Sequence, residues 1–407
     1  MAIKLPSHIT KLFPLLFMLI GNAIAHSIFM IGFPLIGRAL GYSALQTGIL
    51  LSVSAFCMML VAPFWGRYID NTGRASSILI GILFTSVFLV GCGVAFTYSE
   101  WFPLFGILSL YAVLFILRIG QSIGVAGLMP AAQAYIADNT NNEQRFSGMG
   151  MMGFVFGFGS ILGGYIVMNT GVERFPSVLI VIGMGMLVSL FGYKRLNRSQ
   201  AESVPLQHWQ QKKTVNWTQA LPFVAITFCT LVTYGFLQHT TGLRLQDQLD
   251  FTPAEAMKGS GGLLTASMVC MAVGQLILSF LSIKKARVLL LVGLSMGCGS
   301  LYALVAASSF TQLLLAMMAI GLGMSLIMPA NLTLLSQSAG EHRQAFFASV
   351  NTVGKGLGWA LGPMLGGALY QFSPLMPVWG AMVAMLIATS IAIYLGRGSR
   401  LVSNSAH

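Results

Sequence analysis

Charge is what this chain of 407 residues has least of. Asp, Glu, Lys and Arg together make up 8% of it, against 56% hydrophobic residues, where a soluble domain carries about 25% charged residues. Too few charges are present to build a water-facing surface, so lipid is the expected solvent for most of the protein. The acids are scarcest. All ten (Asp70, Glu100, Asp138, Glu143, Glu173, Glu202, Asp247, Asp250, Glu255 and Glu341) fall in loops or at the ends of expected helices. Cysteine is nearly absent as well. Cys57, Cys92, Cys229, Cys270 and Cys298 each sit alone in an apolar run, with no metal-ligand or disulfide spacing, and read as small buried hydrophobes. No phosphate-binding glycine loop occurs, which argues against ATP as the driving force, and no Ser/His/Asp or metal-ligating constellation is recognisable. An enzyme is therefore not expected, nor any cofactor or metal. The net charge of +12 is not a nucleic-acid signature, because the basic residues lie in short clusters between apolar runs with no stripe of aromatics.

What is present is a succession of long apolar runs. A membrane-spanning helix needs about 20 such residues. On that basis spans are expected near 10–35, 44–65, 75–96, 103–136, 146–168 and 176–193, and again near 218–243, 255–281, 287–307, 311–338, 344–370 and 376–396. Lys4 and Lys11 precede the first run, and Ala23-Ile24-Ala25 is similar to a signal-peptidase site, but the run continues to Leu35, so an uncleaved first helix is expected. Between the two sets lies one long polar segment, expected to be a cytoplasmic linker over 194–217 between halves 1–193 and 218–407. With the N-terminus in the cytoplasm, Arg67, Arg74, Arg145, Lys194, Arg195, Arg198, Lys212, Lys213, Lys284, Lys285, Arg287 and Arg343 all face inward. The external loops then hold only Arg38, Arg174, Arg244 and Lys258, a strong positive-inside bias that places both termini in the cytoplasm. The expected fold class is an all-α membrane protein with twelve transmembrane helices in two six-helix pseudo-repeats. Gly159-Ser160-Ile161-Leu162-Gly163-Gly164 recurs half a chain later as Gly362-Pro363-Met364-Leu365-Gly366-Gly367, and Gly124 to Pro130 echoes Gly323 to Pro329. Parallel repeats of this kind place a substrate site near the bilayer midplane.

Three motifs stand out. Gly66-Arg67-Tyr68-Ile69-Asp70-Asn71-Thr72-Gly73-Arg74 joins the second and third spans, its glycines suited to a tight turn and Asp70 to a helix cap or an arginine partner. Arg118-Ile119-Gly120-Gln121-Ser122-Ile123-Gly124 sits in the fourth span, and Gly358-Trp359-Ala360-Leu361-Gly362-Pro363-Met364-Leu365-Gly366-Gly367 in the eleventh. Together these resemble the signatures of the major facilitator superfamily, over nearly the whole chain, and are most similar to its drug:proton antiporter branch. The resemblance implies the major facilitator fold. It implies that Gly66, Asp70, Gly73 and Arg74 form a conformational latch, and that Arg118 and Gln121 belong to a proton-coupling motif in which Ser122 stands for glycine. It further implies that Gly159, Gly163 and Gly164, with Ser160 where proline belongs, are a partial copy of the exporter motif completed by Gly358, Gly362, Pro363, Gly366 and Gly367. Small residues at these spacings also serve plain helix packing.

The remaining candidates are isolated polar groups in apolar runs. Arg118 lies about 15 residues into its span, where a charge costs several kcal/mol unless it faces water or a partner. It is either a structural arginine bonding carbonyls or a site for proton coupling or anions. Lys355 lies roughly 18 Å beyond Arg343 at 1.5 Å per residue, a depth that makes snorkelling to a headgroup difficult; it either snorkels, lines a solvated crevice, or binds a ligand or ion. Asn22 and His26 share a helix face, as do Tyr234 and Gln238; these residues and His239 fit substrate binding, proton transfer or buried packing. With basic and no acidic groups deep in the membrane, the field favours an anionic or zwitterionic substrate. The sequence thus leads to a secondary transporter of a bacterial inner membrane. A proton-coupled exporter of a carboxylate-type siderophore or metabolite is expected first. The alternatives are a multidrug:proton antiporter for amphiphilic drugs and an organic-acid uptake carrier. Its expected partners are a small-molecule substrate, protons and membrane lipid, with no nucleic acid, and a monomer is expected.

Overall fold

The structure is a computed structural model of the full chain; residues 7–100, 107–138, 142–196, 217–280, 285–339 and 344–404 are described. Eleven α-helices account for nearly all of them: α1 (Ser7–Ala39), α2 (Ala44–Thr72), α3 (Arg74–Thr97), α4 (Ile107–Asp138), α5 (Asn142–Leu196), α6 (Leu221–Leu249), α7 (Pro253–Phe280), α8 (Ala286–Ala306), α9 (Phe310–Ala339), α10 (Gln344–Tyr370) and α11 (Met376–Asn404). Ten stretches of these helices are long and apolar enough to cross a bilayer. Phe64, Phe154, Phe191 and Tyr394 point outward and are exposed, as side chains bathed in lipid tails would be. This is a multi-pass membrane protein.

Two departures from the expected spans have local causes. The spans expected at 146–168 and 176–193 form one 55-residue element, α5, whose backbone leaves helical geometry at Gly171 (φ 68°, ψ 166°). A straight helix of that length would run about 80 Å, far beyond a bilayer of about 30 Å. A positive φ is open to glycine at little steric cost, so Gly171 is where the chain can break. The second departure is α10, which is not among the ten apolar stretches. It carries Asn351, Lys355 and the glycines at 354, 356, 358, 362, 366 and 367, which lower its hydropathy while suiting it to close packing.

The chain divides into two compact units, Met1–Phe29 with Val53–Gln211, and Met30–Ser52 with Lys212–His407. In the first unit, glycines set the helix contacts. A Cβ on Gly124 would come within 2.7 Å of the Gly81 carbonyl, so α3 and α4 pack backbone to backbone. Gly159 and Gly163 of α5 lie against the Ile20 and Ile24 carbonyls of α1 in the same way, and the Ser27 hydroxyl donates to the Ser160 carbonyl at 2.8 Å. α2 and α3 meet at Gly73, whose φ of 90° provides the tight turn expected there.

In the second unit the same device joins α6 to α10, where a Cβ on Gly235 would sit 2.9 Å from Gly362. Asn331 of α9 ties back to α6 through its amide, donating to the Phe223 carbonyl at 2.8 Å and the Thr227 hydroxyl at 2.9 Å. The end of α1 and the start of α2 also belong to this unit. Gly48 faces the Pro363 carbonyl and Gly367 faces the Ala44 carbonyl, both too closely for any Cβ. Pro363 has no N–H of its own, and the next amide, Met364 N–H, donates to Ser52 Oγ at 3.0 Å.

One placement is corrected. Arg244, expected in an external loop, lies inside α6 and is 6% exposed. The last turns of that helix are apolar enough on one side to carry it inward, with Leu243 and Leu245 both buried beside it. The described linker is limited to its ends; 197–216 lies outside the described residues.

Candidate functional site

In the first unit the polar centre is Arg118 of α4, 5% exposed. One Nη1 N–H donates to Gln121 Oε1, one turn on. The guanidinium lies 4.3 Å from the centre of the Phe29 ring on α1, close enough for a cation–π attraction. Its Nε is buried and unbonded. No carboxylate within ion-pair distance exists among the described residues, so the charge is held by an amide oxygen and a π face alone. His26, one turn before Phe29, neighbours this charge, and its ring stands 6.0 Å from that of Phe156 on α5. Asn22 is buried on the same face of α1, and Gln121 and Ser122 are buried on α4. The Ser122 hydroxyl is spent on the Arg118 carbonyl at 2.7 Å, so the serine that stands for glycine in the motif bonds within its own helix.

The second unit holds the other group. Tyr234, Gln238 and His239 are all buried on α6. Gln238 Oε1 and His239 Nδ1 are buried atoms without a hydrogen-bond partner among the described residues, and the Tyr234 hydroxyl lies beside that of Ser267. His239 Nε2 lies 2.9 Å from the Ala44 carbonyl. A carbonyl only accepts, so Nε2 carries the proton and Nδ1 keeps its lone pair free. Trp359 of α10 meets the Tyr234 ring edge-on, centroids 6.3 Å apart. Lys355 lies one helical turn before Trp359, on the same face of α10. It is half-buried and has no ion pair among the described residues. Four of the expected residues, Tyr234, Gln238, His239 and Lys355, thus fall on the adjoining helices α6 and α10, while Asn22, His26, Arg118 and Gln121 gather in the first unit. Orphaned buried polar atoms each cost about 1–3 kcal/mol, so their concentration on α6 marks a place where stability is given up.

The glycine motifs resolve into packing roles. Gly159 and Gly163 seat α5 on α1, Gly358, Gly362 and Gly366 seat α10 on α6, and Gly367 admits Ala44; Gly164 is buried. A Cβ on Gly66 would meet nothing. The Asp70 side chain lies outside the described residues, and Arg74 is half-buried at the start of α3.

Sequence reasoning missed a further charged cluster. Arg38 at the end of α1 forms a two-pronged ion pair with Asp247 of α6, at 2.7 and 2.9 Å. Its Nη1 also donates to Gln246 Oε1 at 3.2 Å. The Tyr370 hydroxyl donates to the same carboxylate at 2.6 Å, and the Arg38 guanidinium lies 5.7 Å from the Tyr370 ring centre. The partners are 209 residues apart, so no spacing rule links them.

A bundle of long apolar helices, packed through glycines and carrying isolated buried polar groups, defines a polytopic membrane carrier. A sequence profile of the Major Facilitator Superfamily matches residues 15–262 and 225–405, and the chain belongs to that family. It is a transporter of small-molecule substrates and not an enzyme. It is 26% identical over 360 residues to multidrug resistance protein 2 of Bacillus subtilis, covering 85% of each chain. It is 23% identical to the quinolone resistance protein NorA of Staphylococcus aureus, covering 85% of this chain and 86% of NorA. Among solved structures, a bacterial homologue of the human lysosomal transporter Spinster, in an inward-facing and occupied conformation, superposes with a TM-score of 0.77 at 16% identity, over 97% of this chain and 98% of that one.

Proposed function

We propose that this protein is a proton-coupled exporter of amphiphilic drugs in a bacterial inner membrane, with both termini cytoplasmic. The observation that carries the reading is similarity, along 85% of both chains, to transporters named for multidrug resistance. The site chemistry is compatible with it. In the second unit Tyr234 and Trp359 offer flat apolar surfaces, and Gln238 and the Tyr234 hydroxyl offer sparse polar contacts, the mixture typical of small-molecule sites. On this reading α5 supplies two spans, one on either side of Gly171, giving twelve in two six-helix halves, 1–193 and 218–407, joined by the cytoplasmic segment 194–217. Gly66, Asp70, Gly73 and Arg74 act as the latch, and the protein works as a monomer surrounded by lipid.

The absence of a carboxylate beside Arg118 among the described residues supports a second reading. A fixed cation of this kind attracts a carboxylate, so anionic or zwitterionic compounds, carboxylate siderophores and metabolites among them, are the substrates it favours. Arg118 keeps its proton and serves as anchor, and Lys355, able to lose its proton when desolvated, serves as the coupled switch. His26 and His239 are the candidate proton carriers beside them, with Asn22 as a polar contact.

Flux into inverted membrane vesicles under an imposed pH gradient tests both readings, using cationic, zwitterionic and anionic compounds of similar size. Accumulation of cationic amphiphiles supports the multidrug reading, and accumulation confined to carboxylates supports the second. Gradient-independent flux in every case would reject proton coupling.

A further inference from the structure

Arg244 has a surrounding that its neighbours do not explain. Three polar acceptors fix its guanidinium. Nε donates to Gln248 Oε1 at 2.5 Å, and Nη2 donates to the Leu304 carbonyl at 2.7 Å and the Ala307 carbonyl at 3.4 Å. The two carbonyls belong to the end of α8, whose last turn carries a partial negative charge of about half a unit. That end offsets part of the arginine charge and leaves the rest. Asp247, one turn away, is committed to Arg38 and Tyr370, and among the described residues no carboxylate pairs with Arg244. Among the described residues the two N–H groups of Nη1 make no hydrogen bond, yet Nη1 is not among the sealed, unbonded atoms. It opens onto space.

That space is a cavity of about 280 Å³ lined by Arg244, Gln248, Leu249, Ala307, Ser308 and Leu313. Gln248 and Ser308 are exposed at its mouth, while Arg244 forms its inner wall. Gln248 accepts through Oε1, so its amide N–H groups remain to donate, while the Ser308 hydroxyl on the other lip donates to Gln312 Oε1 at 3.3 Å. A second, far smaller cavity of about 10 Å³ lies on Arg244 among side chains such as Leu237, Leu263 and Met317, and the two threonines there spend their hydroxyls on the Phe236 and Leu237 carbonyls. A polar ligand therefore stops at the guanidinium. The volume suits a compact group, and the lining offers donors and one cation with no competing anion.

We propose that this cavity is a binding site for a single oxyanion, a carboxylate or phosphate, lined by residues other than Tyr234, Gln238, His239 and Lys355. Its depth fits two sources of that chemistry. α6 ends at Leu249 and α8 at Ala306, where their membrane-crossing stretches also end, so the mouth opens at headgroup level and takes either a lipid phosphate or a free anion. The arginine holds the end of α8 and the ligand together, so occupancy stiffens the α6, α8 and α9 ends as one piece.

The test uses the full-length protein in nanodiscs of phosphatidylcholine alone, at constant ionic strength, with melting temperature as readout. Inorganic phosphate is titrated in one arm; in the other, phosphatidylglycerol replaces part of the lipid. Arg244→Gln removes the cation, and Ser308→Trp fills the mouth while leaving the guanidinium and its bonds to α8 intact. The wild type is expected to melt higher in at least one arm, with both variants losing the response or weakening apparent affinity by about tenfold or more, the scale of one charge-assisted hydrogen bond. A response to phosphate assigns a free-anion site, and a response to phosphatidylglycerol alone assigns a headgroup site. No response in either arm, or a wild-type response in Ser308→Trp, overturns the proposal. If Arg244→Gln does not fold, Ser308→Trp decides alone.

Discussion

The Arg38–Asp247 pair ties the α1–α2 turn to the end of α6, and its strength follows from its geometry. Two parallel charge-assisted bonds at 2.7 and 2.9 Å, with a third from Tyr370 at 2.6 Å, make a well-aligned cluster. The side chains are about a third exposed, 33% and 36%, so solvent screens the pair. Exposed pairs contribute about 0.2–1 kcal/mol, and two-pronged geometry with a supporting hydrogen bond places this one near the top, at about 1 kcal/mol. Cutting it with Asp247→Asn should then raise the population of the released turn about fivefold, since 1.4 kcal/mol corresponds to a factor of ten. Hydrogen–deuterium exchange of the amides at Leu40, Gly41 and Tyr42, which bond back to Ile36, Arg38 and Gly37, reads that population directly. The double-mutant cycle of Arg38→Gln and Asp247→Asn should give a coupling near 1 kcal/mol that shrinks as salt is raised. A coupling below about 0.3 kcal/mol, within the additivity error of such cycles, or unchanged exchange in both single variants, would refute the reasoning.

Asp70→Asn should cut turnover severely with little change in melting temperature; wild-type flux would remove Asp70 from any latch. Lys355→Ala should weaken binding of an anionic compound more than of a cationic one, and Lys355→Arg should bind yet turn over poorly; equal losses for both charge types in a binding assay would assign Lys355 to packing. Gly367→Val should lower stability by about 1–3 kcal/mol, because even its Cβ has no room beside the Ala44 carbonyl; a melting temperature within a degree of wild type would contradict that packing.

Much of the fold was legible because the bilayer imposes a simple rule on composition. Runs of about 20 apolar residues had to be helices, and ten of them are apolar enough to count by length and hydropathy alone. α10 was expected from the same apolar reading, as 344–370, although its hydropathy falls short of the other ten. Packing was harder to read. Gly235 lies in no motif, yet it is what lets α6 touch Gly362. The buried position of Arg244 was hidden because positive-inside counting treats an arginine near a helix end as a loop charge, whereas its stem reaches back along α6 to the end of α8. The lone pair on His239 Nδ1 depends on a carbonyl 195 residues away, and the Arg38 pair on a similar separation; neither has a local trace in the sequence.

The stretch from Met30 to Ser52 has a consequence for how the chain is made. It enters the membrane among the first segments synthesised, but the groups it packs on, Pro363 and Met364 with Gly367, come more than three hundred positions later. At about 5–20 residues per second, the ribosome needs roughly 15–60 s to deliver them. Throughout that interval Gly48 and the Ala44 carbonyl have no α10 to rest against, and the newly inserted turn must be sheltered by lipid or by the insertion machinery. Final closure of this unit is therefore a late event in biogenesis. A nascent chain arrested before α10 should expose the α1–α2 turn to protease while its earlier helices are already inserted.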